Sequence, residues 1–200
     1  MNETNAKKLL FAVADVLEDI GVEFFLKSGT LLGAIKEKKF IDSDRNVDLA
    51  MLQENLIPIA KELKNRLTEK GMKVEVIDHR HRRPWDSSIY AFKIRGYGEH
   101  AELAGYKKIK GKRALPSHGN DYWEVITARL FEELGEIEFY GRMFKKPADN
   151  YLTEYFDNWQ SPIGYCPRDP SKLSDFTNSC IRPESWLKEK ERVIPLGREQ

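Results

Sequence analysis

Two neighbouring motifs constrain the fold of this chain more than any other feature. The first is Ser28-Gly29-Thr30, which follows an apolar segment at residues 22–26 and begins a short helical pattern through Lys36. A strand that ends in Ser-Gly-Thr at a helix start presents backbone N–H groups and a helix N-terminus, and both bind phosphate. Glycine also lets a ligand approach the backbone without meeting a Cβ atom. The motif therefore predicts a strand, a phosphate-binding turn and a helix in succession.

The second motif is an acidic run that contains Asp44, Asn46 and Asp48. Residues 47–52 predict an apolar strand, and side chains two apart on a strand point to the same face. Asn46 and Asp48 would then lie together near Asp44, in an oxygen-rich cluster suited to Mg²⁺ or Mn²⁺. Each motif alone has an ordinary explanation, a turn for Ser-Gly-Thr and a solvated loop for the acidic run. Their combination predicts a phosphate and metal site.

The rest of the chain predicts a mixture of helices and strands without a domain linker. We expect helices at 5–20, 54–69, 123–134 and 147–159, strands at 72–77, 88–94, 100–107 and 109–115, and a hairpin at 136–144. Gly21 and Gly71 suit helix ends, and turns are expected at 96–98 and Gly141. These elements indicate one α/β domain over residues 1–160, with an extended, partly helical tail over 161–200 that packs on it.

The composition excludes several classes of protein. The 200 residues are 40% hydrophobic and carry 33 basic and 32 acidic side chains, so the overall charge does not indicate nucleic acid as a partner. No apolar run reaches the roughly 20 residues that cross a bilayer, and the N-terminus lacks the pattern of a secretory signal. Cys166 and Cys180 form no CxxC pair and are interpreted as reduced thiols. We therefore expect a cytoplasmic protein with no transmembrane segment.

Residues 25–51 resemble the LicD and fukutin family, within the DNA polymerase beta-like nucleotidyltransferase superfamily. The matching positions are Gly29-Thr30-Leu31-Leu32-Gly33-Ala34, then Phe40-Ile41, and the acidic residues Asp44 and Asp48. Further along, residues 100–106 and 139–162 are similar to later segments of the family, so the resemblance covers most of the chain. It implies an α/β (α+β) fold, a nucleotidyltransferase-like mixed sheet flanked by helices in a single domain.

The resemblance also implies a function. It indicates a metal-dependent phosphotransferase that moves phosphocholine or an alditol phosphate from a CDP-type donor, CDP-choline or a CDP-alditol, to a glycan or small-molecule hydroxyl, as in cell-surface polysaccharide modification. Mg²⁺ (or Mn²⁺) would be held by Asp44, Asn46, Asp48 and Glu102. The catalytic residues would be Asp44, Asp48 and Glu102, with Glu102 as general base. The donor phosphates would contact Ser28, Gly29, Thr30, Lys36 and Arg45. In the same fold, a nucleotidyltransferase that uses an NTP is the alternative.

The sequence departs from the family pattern in three ways. Asn46 replaces the first aspartate of an Asp-hydrophobic-Asp pair, residues 42–43 replace Pro-Trp, and Glu102 stands where aspartate is common. An asparagine oxygen can ligate a metal but carries no charge, so the metal affinity should fall unless Asp44 compensates. A non-catalytic relative that binds nucleotides or glycans is the alternative that Asn46 favours.

Three further features each have two interpretations. Glu102 is either the third carboxylate of the site or a residue on a solvated strand face. The basic segment 79–83 either binds polyanions or is a solvated loop. The aromatic residues either form a cage for a quaternary ammonium group or pack in the core; they are Trp85, Tyr106, Trp123 and Trp159.

Overall fold

The chain folds into two units, and the first contains a mixed sheet that carries both sequence motifs. The computed structural model describes residues 1–42, 44–78, 89–109, 112–116, 122–156 and 193–195. The first unit comprises residues 1–107 with 135–146, and the second comprises 108–134 with 147–200. Every residue of the two motifs belongs to the first unit.

In chain order, the elements are α1 (Glu3–Ile20), β1 (Phe25–Leu26), α2 (Ser28–Lys36), β2 (Val47–Leu52), α3 (Gln53–Glu69), β3 (Lys73–Asp78), β4 (Ile89–Gly96), β5 (Glu99–Ile109), β6 (Lys112–Pro116), β7 (Tyr122–Thr127), a 3-10 helix (Ala128–Phe131), β8 (Gly135–Phe139), β9 (Arg142–Lys146), α4 (Asn150–Phe156) and β10 (Val193–Pro195). The mixed α/β class predicted from the sequence is confirmed.

The sheet of the first unit has the order β3-β4-β5-β2-β1-β9-β8. Its central strand β2 runs parallel to β5 and antiparallel to β1. β1 in turn runs parallel to β9, while β8 with β9 and β3 with β4 are antiparallel pairs. In the second unit, β7 pairs with both β6 and β10, antiparallel in each case. The central position of β2 explains why its first five residues are all buried.

Helix α1 shows how local signals determine an element. The Asn2 side chain accepts a hydrogen bond from the Asn5 backbone N–H at 3.0 Å, which satisfies one of the free donors at the helix start. Gly21 ends the helix in the left-handed conformation, with φ 79°. Between these caps, an apolar stripe of fully buried residues faces the core, and it includes Leu9, Val13 and Leu17. The predicted helix at 5–20 is therefore confirmed, with two additional residues at its start.

Both predicted hairpin turns are confirmed. β4 and β5 are joined by Tyr97 and Gly98, and β8 and β9 by Tyr140 and Gly141. All four residues have positive φ, between 55° and 81°. A two-residue loop with positive φ at both positions matches the right-handed twist of the flanking strands.

Some predicted elements were wrong. The predicted helix at 123–134 is instead strand β7 followed by the 3-10 helix. Residues 122–127 are Tyr-Trp-Glu-Val-Ile-Thr, and all of them except Glu124 are types that are frequent in strands. Pairing with β6 and β10 outweighs the weak helical spacing. The predicted strand at 22–26 is shorter in the structure, where β1 contains only Phe25–Leu26. Of the predicted helix at 147–159, the structure describes a helix at Asn150–Phe156, which is α4. The predicted domain bounds at 1–160 and 161–200 stay a prediction, because most of the tail lies outside the described residues.

We predict that Gly33→Ala destabilises the protein by about 1–3 kcal/mol. A Cβ atom at Gly33 in α2 would lie 2.5 Å from the Lys39 carbonyl oxygen and 3.2 Å from the Ile41 nitrogen, so backbone must move. The free energy of unfolding in urea measures the loss. Gly135→Ala is the matched control, because its Cβ would meet only the Lys146 side chain at 3.5 Å. Equal stability of the two variants would contradict the prediction.

Candidate active site

Two carboxylates meet on neighbouring strands of the sheet. In the parallel pairing of β2 with β5, Asp48 lies directly opposite Glu102. Residues in register on adjacent strands project to the same face, with backbones about 4.8 Å apart. Both side chains are largely buried, with exposed fractions of 11% for Asp48 and 18% for Glu102. Of the two sequence-based interpretations of Glu102, the structure favours a carboxylate that faces the site.

Asp48 also connects β2 to the start of α2. Its backbone N–H donates to the Thr30 Oγ1 atom at 2.8 Å, and the Gly29 backbone N–H donates to its carboxylate. The Asn46 Nδ2 atom donates to Asp48 Oδ1 at 2.6 Å. A carboxylate at a helix N-terminus is stabilised by the free N–H groups there. The two sequence motifs therefore form one structure, with Asp48 at their junction.

The environment of Asp48 is divided between groups that favour its neutral form and groups that favour its charge. Burial raises the pKa of Asp48 above its ordinary value and is the largest effect. The Lys27 ammonium lowers the pKa, whereas the nearby Glu102 carboxylate raises it. The hydrogen bonds from Asn46 and Gly29 lower it. The pKa of Asp48 remains raised overall, because burial outweighs the ammonium and the two hydrogen bonds.

Lys27 is the functional residue that sequence reasoning missed. Its ammonium lies 3.8 Å from Asp48 Oδ1 and 3.5 Å from Glu102 Oε1, and its side chain is only 7% exposed. Lysine is rarely buried unless it is paired with an acidic group. A lysine that directly follows an apolar strand could therefore have indicated a buried ion pair. Its significance depends on the register of β2 with β5, which brings Glu102 from a segment far away in sequence.

The turn between β1 and α2 has the properties expected of a ligand-binding turn. Ser28 has φ 46°, a left-handed conformation that costs a non-glycine residue about 1–2 kcal/mol. Its Oγ atom is buried and has no hydrogen-bond partner among the described residues. Strained backbone and unsatisfied buried polar atoms are concentrated at functional sites. Thr30 has a different role, since its buried hydroxyl accepts the Asp48 N–H.

The remaining predicted residues lie around this turn. Asp44 is partly buried with its carboxylate against Gly29, where an added Cβ would be 2.5 Å from Asp44 Oδ2. Only glycine therefore allows Asp44 to lie so close to α2. Arg45 is exposed, and its backbone N–H donates to Asp44 Oδ1 at 3.1 Å. Lys36 is partly buried in the last turn of α2, at the opposite end from Ser28.

Several candidates lie elsewhere. Tyr106 is a core residue, 1% exposed and stacked on Phe25 with ring centroids 6.2 Å apart. It therefore does not contribute to an open aromatic cage. The other members of that group, Trp85 and Trp159, and the side chain of Trp123 lie outside the described residues. The same is true of the basic segment 79–83 and of both cysteines.

The donor set bears on whether this site suits a divalent metal. Within the part of the chain that the structure describes, no three His, Cys, Asp or Glu side chains form a group that could hold a metal ion. The site instead offers the Asp48 and Glu102 carboxylates together with the amide of Asn46. Mg²⁺ in nucleotide enzymes usually takes one or two carboxylates, with water and substrate phosphates as its other ligands. The residues therefore fit a Mg²⁺ ion that also binds the phosphates of a nucleotide.

A carboxylate pair beside a helix N-terminus on a mixed sheet indicates a domain of the nucleotidyl- or phosphotransfer class. The family model described as LicD/FKTN/FKRP, nucleotidyltransferase domain, matches residues 21–149. The chain belongs to this family, and the resemblance stated from the sequence is confirmed. This membership supports a transferase that acts on nucleotide-type donors.

Individual proteins that resemble this chain give less information about its function than the family match does. No curated protein matches the sequence. Among solved structures, ANT(2")-Ia in complex with adenylyl-2"-tobramycin is similar, with a TM-score of 0.47 and 14% identity over 85% of this chain and 84% of that chain. None of the helices that the structure describes has the length and apolar character needed to span a membrane.

We predict that Thr30→Val destabilises the protein by about 1–3 kcal/mol, because it leaves the buried Asp48 N–H without an acceptor. Valine has nearly the same shape as threonine, so packing changes little. Thr30→Ser is the control: it keeps the oxygen and should lose only about 0.8 kcal/mol with its methyl group. Urea unfolding of both variants tests this, and a valine variant as stable as the serine variant would disprove it.

Proposed function

We propose that this protein is a phosphotransferase that moves a phosphate-linked group from a CDP-type nucleotide donor to a hydroxyl of a glycan or small molecule. The observation that carries the proposal is the Asp48–Glu102 carboxylate pair at the N-terminus of α2. Family membership supports the reaction class. Phosphocholine and alditol phosphates are the groups proposed for transfer, from CDP-choline or a CDP-alditol, and cell-surface polysaccharide is the proposed destination. The reaction is proposed to take place in the cytoplasm.

The proposed donor phosphates lie at the turn between β1 and α2. The Ser28 hydroxyl is buried without a hydrogen-bond partner among the described residues, and it can donate a hydrogen bond to a phosphate oxygen of the nucleotide. The N-terminus of α2 adds its positive end. Arg45 is exposed beside this turn, and its guanidinium can bind a phosphate in a bidentate way. Mg²⁺ or Mn²⁺, held by Asp48 and Glu102 with Asn46 and Asp44 as neighbouring oxygen donors, would neutralise the diphosphate charge.

In the proposed reaction, the acceptor hydroxyl oxygen forms a bond to the phosphorus that carries choline or the alditol. The bond from that phosphorus to the CMP oxygen breaks, and CMP leaves with the electron pair. Glu102 accepts the proton of the acceptor hydroxyl. Its 18% exposed side chain supports this role, because it is accessible from solvent while held near Asp48.

We predict that Asp48→Asn abolishes metal-dependent binding of CDP-choline, measured by calorimetry with Mg²⁺ and Mn²⁺ and with CTP and ATP as competing candidates. The amide removes the charge that a divalent ion requires, while the shape of the side chain is kept. The matched control is Asp42→Asn, because Asp42 lies in the same acidic run but its side chain is 91% exposed. Circular dichroism establishes that both variants fold. Unchanged binding by the Asp48 variant would refute the proposed site.

A non-catalytic binding module is the second candidate, and one contact favours it. Asn46 offers its Nδ2 donor to Asp48, where the family pattern has a carboxylate. Such a site can hold a nucleotide while binding metal too weakly for transfer. The nucleotidyltransferase alternative is separated by its product, since an NTP donor releases pyrophosphate and a CDP-type donor releases CMP.

We predict that the wild-type protein releases CMP and that Asn46→Asp lowers the metal concentration for half-maximal rate roughly tenfold, because the added carboxylate strengthens metal binding. The rate of CMP release as a function of Mn²⁺ concentration measures this. If only the Asn46→Asp variant transfers the group while the wild type merely binds the donor, the binding module is the correct interpretation.

A further inference from the structure

We infer that Lys27 is an internal counter-ion that prevents Asp48 and Glu102 from binding a divalent cation until the phosphates of a nucleotide arrive. The inference deepens the function proposed above and concerns the same site. It assigns to Lys27 a positioning role in the order of binding, which neither the family match nor the sequence motifs provide.

The geometry places the ammonium where it serves both carboxylates. Lys27 Nζ lies 3.5 Å from Glu102 Oε1 and 3.8 Å from Asp48 Oδ1. The Lys27 backbone N–H also donates to the Asp48 carbonyl oxygen at 3.2 Å, which holds the start of α2 against β2. Because only 7% of the side chain is exposed, water screens these charges poorly. The ammonium is therefore a fixed part of the site.

Charge balance explains why the metal would wait for the nucleotide. Asp48 and Glu102 carry two negative charges, and Lys27 already balances one of them. A divalent cation on the same two carboxylates would lie next to the Lys27 ammonium, in a buried site where like charges repel strongly. The diphosphate of a nucleotide would add negative charge that offsets this repulsion. Metal and nucleotide are therefore expected to bind together.

Asn46 also opposes binding of a metal ion to Asp48. The Asp48 Oδ1 atom accepts the 2.6 Å hydrogen bond from Asn46 Nδ2 and also lies 3.8 Å from Lys27 Nζ. A metal ion that binds this oxygen must displace one or both donors.

The test is Mn²⁺ binding by calorimetry to the wild-type protein and to Lys27→Gln and Lys27→Met, first without nucleotide. Loss of the ammonium should tighten Mn²⁺ binding by about 10- to 100-fold, the range in which groups next to metal ligands act. Lys39→Met is the matched control, since Lys39 is a lysine of the same region whose ion pairs are with Glu37 and Asp42. Its Mn²⁺ affinity should equal that of the wild type.

Thermal unfolding provides a second measurement. Added Mn²⁺ should raise the unfolding temperature of the Lys27 variants and leave that of the wild type unchanged. Equal Mn²⁺ affinity in the wild type and the Lys27 variants would overturn the inference. If neither variant folds, Mn²⁺ binding to the wild-type protein is compared with and without CDP. Equal Mn²⁺ affinity in the two conditions would overturn the inference. An Mn²⁺ affinity at least tenfold tighter with CDP would support it.

Failure of the proposed transferase function can be distinguished from failure of the inference about Lys27. A wild-type protein that binds neither CDP nor CDP-choline with any metal would refute the transferase proposal. A gain in Mn²⁺ affinity by the Lys27 variants would still establish the counter-ion, because that measurement uses no nucleotide.

Discussion

The contacts of Asp48 are the interaction on which the rest of the site depends. Its backbone N–H binds the Thr30 hydroxyl, and its carboxylate receives the Gly29 N–H. The same residue is in register with Glu102 on β5. One aspartate therefore joins a helix start and two parallel strands, so a change at any of these contacts moves both the carboxylates and the phosphate-binding turn.

This arrangement is costly by the usual rules of stability. It buries two carboxylates and an ammonium, and it holds Ser28 in a left-handed conformation with its hydroxyl unpartnered among the described residues. Buried ion pairs contribute little net stability, because desolvation offsets their attraction. A chain selected for stability alone would place apolar side chains here. The buried charges and the strain are instead consistent with a site prepared for a charged ligand.

Much of this could be predicted from local sequence. The caps of α1 and the two hairpin turns were readable because each depends on neighbouring residues only. The apolar run 47–52 placed Asp48 correctly on a strand. The helix expected at 123–134 was wrong because strand pairing with distant segments overrides a weak helical pattern. Lys27 was missed for a related reason, since its partner Glu102 is 75 residues away.

The sequence by itself determined the strand-turn-helix motif, the apolar strand that carries Asp48 and the family to which the chain belongs. Only the tertiary structure showed that Gly29 must be glycine to admit the Asp44 carboxylate, that Thr30 serves Asp48, and that Lys27 lies between two carboxylates. The physical reason is that side-chain type and spacing determine local conformation, whereas electrostatic partners are set by the register of strands that are far apart in sequence.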